Sequence, residues 1–151
     1  MTDLDKQEKT AGMEFWGGKP ATIAGMLLQQ EESDSLSQAE MAEILNQLPS
    51  LRGMEVLELG AGIGRYTSHF AQVASHVTTV DFTKHFLDQN RKSTARFNNI
   101  TYCCTDVMCL EFEDESFDFV FMNWLLMYLD DQSVVLLRDR IRKWLRVGGA
   151  L

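Results

Sequence analysis

Three carboxylates and a run of glycines stand where they could hold a small ligand. Glu58 follows the apolar pair Val56-Leu57, and Gly60, Gly62 and Gly64 come next at alternate positions, with Ala61 between the first two. A chain that turns at glycines can bring bare backbone up to a ligand. Asp81 closes a second short run, Val77-Thr78-Thr79-Val80, twenty-one positions after Gly60, and Asp106 follows a third, Ile100 to Cys104. A glycine-rich first turn with an acid at the tip of the next strand is how α/β folds hold a nucleoside. Each acid also has a plainer reading, because acids at strand ends often cap the helix that follows.

The glycine spacing narrows the ligand. The dinucleotide fingerprint G-x-G-x-x-G requires a glycine at position 65, where Arg65 stands, so the third glycine falls one residue early. A bulky residue there obstructs the close helix–strand approach that the third glycine permits. A P-loop is excluded because no Gly-Lys-Ser/Thr follows the turn. A ligand with a nucleoside but no pyrophosphate fits better, and S-adenosylmethionine is such a ligand. Its ribose diol can hydrogen-bond Asp81, and its sulfonium and ammonium suit a cleft carrying Glu58, Asp81 and Asp106.

These residues need a scaffold, and the periodicity supplies one. Strands are expected at Glu55 to Leu59, His76 to Val80, Ile100 to Cys104 and Phe117 to Met122, the last nearly all apolar, as a strand covered on both faces should be. Between them the pattern predicts helices from Arg65 to Ala74, burying Tyr66, Phe70 and Val73, and from Lys84 to Arg96. An earlier helix opens on the capping box Ser37/Glu40, repeats Met41, Ile44, Leu45 and Leu48, and stops at Pro49. A last helix runs from Ser133 to Leu145, with Asp130 or Asp131 as its cap and Gly148-Gly149 as its stop. Strand and helix alternate, so the fold class is α/β: a Rossmann-like parallel sheet with helices on both faces. The chain stops at Ala150-Leu151, where a fifth strand is expected to begin, so the C-terminal strands are expected to be missing. The exposed sheet edge makes self-association a partner expectation.

Composition bounds the rest. With 151 residues, 45% hydrophobic and 24% charged, the chain suits one globular domain at 13–151 behind a disordered tail at 1–12. Apolar islands at Phe15-Trp16 and Met26-Leu27-Leu28 read as a flap packed on that domain. Twenty-two acids against 14 Lys and Arg argue against a nucleic-acid partner, which needs clustered cations. No stretch has the apolar length of a membrane span or a secretion signal. Cys103, Cys104 and Cys109 have no histidine beside them, so no metal is expected, and an odd count of thiols suits a reducing, cytoplasmic compartment.

Three stretches carry a resemblance: Val-Leu-Glu-Leu-Gly-Ala-Gly-Ile-Gly-Arg (56–65), Val-Thr-Thr-Val-Asp-Phe (77–82) and Asn-Trp-Leu-Leu-Met-Tyr-Leu (123–129). The chain resembles class I S-adenosylmethionine-dependent methyltransferases, and within them the phosphoethanolamine N-methyltransferases of plants, nematodes and some animals. The resemblance runs from about Phe15 to the end. It implies that Gly60, Ala61 and Gly62 lie along the methionine part of the cofactor. It places Asp81 on the ribose hydroxyls, Phe82 on the adenine, and Asp106 with the Val107 amide at the adenine edge. Asn123 would face the methionine end, and Glu58 and Gly64 belong to the same loop.

The implied activity is N-methylation of phosphoethanolamine toward phosphocholine, part of phospholipid metabolism, with a small-molecule amine as partner. Tyr128 falls where relatives carry a catalytic histidine. A phenol with an ordinary pKa near 10 can hydrogen-bond an amine but is a poor base, and core packing is its other reading. Two positions depart from the plant pattern, Phe15 where a tyrosine stands and Gln29 where an acid stands. The family's phosphate-binding residues lie beyond Leu151, so the 151-residue form is expected to be weak or inactive alone. The alternatives are a methyltransferase with another acceptor, or a non-catalytic cofactor- or partner-binding module.

Overall fold

A computed structural model describes residues 14–27 and 33–151. Expectations that rest on residues 1–13, on the Met26 and Leu27 side chains, on Leu28 and Gln29, and on the Ser37 side chain lie outside the described residues.

Five parallel strands form one sheet. They are β1 (Glu55–Leu59), β2 (His76–Asp81), β3 (Ile100–Cys104), β4 (Phe117–Met122) and β5 (Leu145–Ala150). Their order is β3-β2-β1-β4-β5, so the chain reverses direction across the sheet between β1 and β4. Open parallel sheets bind ligands at that reversal, outside the carboxyl ends of the strands. The helices are α1 (Ile23–Leu27), α2 (Ser33–Gln47), α3 (Thr67–Ala71), α4 (Lys84–Ser93) and α5 (Asp131–Trp144).

Period-2 alternation splits the core into two layers. Leu57, Leu59, Val80 and Val120 pack with Leu137, Ile141 and Trp144 of α5. Val56, Val77, Phe119 and Phe121 pack with Tyr66, Phe70 and Ala71 on the other side, joined by Met41, Ile44, Leu45 and Leu48 of α2. Glu58 is an even-numbered member of β1 and therefore points into this second layer, where it is 2% exposed.

Four sequence expectations are corrected. A fifth strand is present, where the last helix was expected to continue to Leu145 and stop at Gly148-Gly149. Helix α5 ends at Trp144 and passes directly into β5. The strand pairs Phe117 with Leu145 and Phe119 with Ala150, with a register shift between the two pairs. Arg146 fastens it, its Nη1 lying 2.8 Å from Asp118 Oδ2 and its Nε donating to the Glu115 carbonyl.

Helix α3 is also shorter than the periodicity suggests, and Val73 is exposed. The Asn99 amide donates to the carbonyls of Ala71 and Ala74, which closes the helix and turns Ala74 inward in place of Val73. Helix α4 ends at Ser93, with Thr94 as its C-cap, whose amide and hydroxyl both donate to the Asn90 carbonyl. Finally, α2 begins at Ser33, ahead of the expected capping box, and Glu40 reaches Arg65 at 3.4 Å.

Candidate functional site

At the carboxyl end of β1 the chain turns through Gly60, Gly62 and Gly64, all at positive φ (71°, 55° and 87°). The amides of this turn bond within the protein. Gly60 and Ala61 both donate to the Val80 carbonyl, at 2.9 and 3.0 Å, and Gly64 donates to the Ala61 carbonyl. Gly62 donates to Asp81 Oδ2 at 2.8 Å. The other oxygen of Asp81 accepts from the Thr83 amide at 2.7 Å. One carboxylate thus clamps the glycine turn to the loop that opens α4. Burial raises the Asp81 carboxyl above its ordinary value, against the lowering effect of the two backbone bonds and of the Thr83 side chain.

Ten of the eleven expected site residues line one cleft: Glu58, Gly60, Ala61, Gly62, Asp81, Phe82, Asp106, Val107, Asn123 and Tyr128. Gly64 is the exception. A Cβ placed there would lie 2.2 Å from Asn90 Oδ1, so this glycine serves helix packing. Asp106 combines both of its readings. Its Oδ1 caps the turn at Val107–Cys109 by accepting from the Met108 amide, and the residue also borders the cleft.

At the end of β4, Asn123 Nδ2 donates to the Tyr66 hydroxyl at 3.3 Å. Trp124 follows at φ 62°, a left-handed conformation that costs a bulky residue roughly 1–3 kcal/mol. Its side chain borders the cleft and is half exposed. Tyr128 ends a short turn and meets Trp16 edge to face at 5.5 Å. Trp16 in turn contacts Phe86 of α4, and His85 Nε2 lies 2.8 Å from the Lys19 carbonyl. The segment at 14–19 is therefore held beside the cleft by its own backbone and by aromatic edges. Burial raises the Tyr128 phenol above its ordinary value, so it is protonated at neutral pH.

Glu58 is a second buried acid of the cleft. Burial raises its carboxyl from 4.5 to about 7, against hydrogen bonds from Thr67 and Thr79. Periodicity marks Tyr66 only as core, and passes over Trp16, Thr67, Thr83, Asn90 and Trp124 as site residues. Asn90 had a usable signal. It sits three and four positions after Leu87 and Phe86, so a polar side chain occupies the buried face of α4.

The turn's internal bonding bears on the ligand. Its amides are spent on a carboxylate and carbonyls, so the site presents oxygen acceptors where a pyrophosphate would need donors. The Asp81 oxygens keep lone-pair capacity that can accept from a diol. The residues present therefore fit a cationic nucleoside such as S-adenosylmethionine.

The chain belongs to the methyltransferase domain family, whose model matches residues 56–149, and its sheet and helices are those of a class I S-adenosylmethionine-dependent methyltransferase. It closely resembles phosphoethanolamine N-methyltransferases. It is 41% identical to the Triticum aestivum enzyme of that name over 95% of this chain and 29% of that protein. The corresponding Caenorhabditis elegans protein is 38% identical over 89% of this chain and 29% of its own. Haemonchus contortus phosphoethanolamine N-methyltransferase 1, solved with phosphoethanolamine and S-adenosylhomocysteine, superposes with a TM-score of 0.86 at 34% identity, covering 97% of this chain and 31% of that one. The chain thus spans about three tenths of the length of the curated relatives it matches.

Proposed function

We propose that residues 13–151 form a domain that binds S-adenosylmethionine in the cleft beside β1 and takes part in methylating the nitrogen of phosphoethanolamine on the way to phosphocholine, in the cytoplasm. One observation carries the reading. Asp81 clamps a glycine turn whose amides are already bonded, so the cleft offers acceptors to a cationic nucleoside. The resemblance to phosphoethanolamine N-methyltransferases supports the acceptor.

In this reading the turn from Gly60 to Gly62 lies along the methionine part, Asp81 accepts from the ribose hydroxyls, and Phe82, Asp106 and Val107 surround the adenine. When bound, S-adenosylmethionine supplies a methyl group on a sulfonium leaving group. The protein's share is alignment, which can contribute roughly 7–11 kcal/mol when two reactants are held in register. Asn123 lines the cleft with its amide nitrogen engaged by Tyr66, so the group it has left to offer an amine N–H is its carbonyl oxygen. Tyr128 contributes a hydrogen bond and an aromatic wall. Its raised phenol makes it no base at neutral pH.

The test has two stages. Calorimetric titration with S-adenosylhomocysteine should show one site, and transfer from labelled S-adenosylmethionine to phosphoethanolamine should then exceed transfer to other small amines. The 151-residue chain should bind well and turn over slowly. No binding of either cofactor form would overturn the reading. Binding with equal transfer to every amine would remove the acceptor assignment alone.

A further inference from the structure

A buried polar chain runs beneath the glycine turn and ends on a group that borders the cleft. Asn90 of α4, Thr67 of α3 and Thr79 of β2 are each fully buried. Asn90 Nδ2 donates to Thr67 Oγ1 at 2.9 Å, and Thr67 Oγ1 donates to Glu58 Oε2 at 2.6 Å. Thr79 Oγ1 donates to the same oxygen at 3.2 Å. The direction of the chain is set at its start. An amide nitrogen can only donate, so it occupies a lone pair of Thr67 and leaves the hydroxyl hydrogen for Glu58.

Donors aimed at a carboxyl oxygen favour its charged form, whereas burial and a neighbouring anion favour the neutral one. The groups facing Glu58 fall on both sides of that balance. From β2 come the Thr79 hydroxyl and the Asp81 carboxylate, and from α3 and its approach come Thr67 and the Tyr66 phenol. On β4 its register partner is Phe121, and from α4 the neutral Asn90 acts through Thr67. Arg65, next along the turn, is engaged with Glu40. Glu58 is thus poised to change charge when a cation enters the cleft it lines.

We propose, on the reading of this cleft as an S-adenosylmethionine site, that Thr67 and Asn90 are positioning residues for Glu58. They hold its carboxylate form, so that a cationic ligand enters the cleft as one proton leaves Glu58 for solvent. The ligand brings the positive charge, the proton carries one away, and the buried layer stays near neutral throughout.

The test is calorimetric titration of the purified chain with S-adenosylmethionine at pH 6 and pH 8, in two buffers of different ionisation heat. The wild-type chain should release close to one proton at pH 6 and close to none at pH 8. Its affinity should rise about tenfold between them, the shift expected when a group near neutrality loses its proton on binding. Glu58→Gln keeps the ligand's own titration and should abolish both effects. Thr67→Val removes the donor and should move the transition upward, so that a proton is still released at pH 8. Asn90→Ala should move it the same way, and Thr67→Ser should restore the wild-type profile. Melting curves identify the variants that fold, and Asn90→Ala carries the comparison if Thr67→Val does not, an unchanged profile in it overturning the proposal equally. A wild-type chain that binds without proton release, or a folded Thr67→Val with an unchanged profile, overturns the proposal. If neither wild type nor Thr67→Ser binds S-adenosylmethionine or S-adenosylhomocysteine at any pH, the reading of the cleft itself fails, and the proposal with it.

Discussion

Gly64 and Asn90 are packed so closely that the glycine has no room for a side chain: a Cβ would lie 2.2 Å from the amide oxygen and 2.4 Å from its carbon. The contact joins the turn after β1 to the buried face of α4. Gly64→Ala therefore combines overpacking with a left-handed φ of 87°, at a combined cost of ~2–5 kcal/mol. At this chain length that lowers the melting temperature by about 5–15 °C. Adding Asn90→Ala should recover the overlap and leave the backbone strain. Equal melting temperatures for Gly64→Ala and wild type would show that the contact is slack.

Asp81→Ala removes the clamp between Gly62 and Thr83 and the acceptor for a diol. Hydrogen bonds to a charged partner contribute ~1.5–3 kcal/mol each, so losing two should weaken S-adenosylhomocysteine binding about 100-fold or more. Calorimetry reads this directly. An affinity within threefold of wild type would take Asp81 out of the site.

Glu58 gives the unliganded protein a pH signature. Its carboxyl is at about 7 in the folded chain, against 4.5 ordinarily, so the folded state binds more protons between those values. Its contribution to stability is complete below about pH 4.5 and is lost as pH rises to about 7, with a size of ~3 kcal/mol. Melting temperature should fall from pH 5 to pH 7.5 in the wild type and change less in Glu58→Gln. Parallel curves for the two would contradict the assignment.

Tyr128→Phe keeps the edge-to-face contact with Trp16 and deletes the hydroxyl. Whatever turnover the chain shows should stay within about threefold, since general-base catalysis would contribute roughly 100-fold or more. Trp16→Ala should cost more than Tyr128→Phe, because it removes contacts to Tyr128, Phe86 and Phe15 at once. A collapse of kcat in Tyr128→Phe alone would return the phenol to the chemistry.

The sheet was legible because its strands carry the signal locally. β1, β3 and β4 are apolar runs bounded by turn residues, and their limits agree with the sequence reading. β5 was illegible because Leu-Arg-Val-Gly-Gly-Ala has little apolar patterning and adjoins α5 with no turn between them. What holds it is the Arg146–Asp118 pair across 28 positions, which no local window contains. The cleft was legible for the same reason as the sheet, since acids and glycines at strand tips are fixed by strand ends. Its supports were not. Thr67 and Asn90 read as unremarkable polar residues until the 23-residue separation between them is closed by the fold.

Two carboxylates latch the sheet at its opposite ends, and they answer acid differently. Asp118, remote from the cleft, joins β1 and β5 through the Glu55 amide and Arg146, and those bonds hold its carboxyl below the ordinary range. Asp81, at the cleft, is raised by burial, as is Glu58. On acidification the cleft loses its negative charge first, while the far latch is still ionised. Mild acid should therefore empty this protein of a cationic ligand and leave it folded, which offers a gentle elution step for recovering whatever it carries.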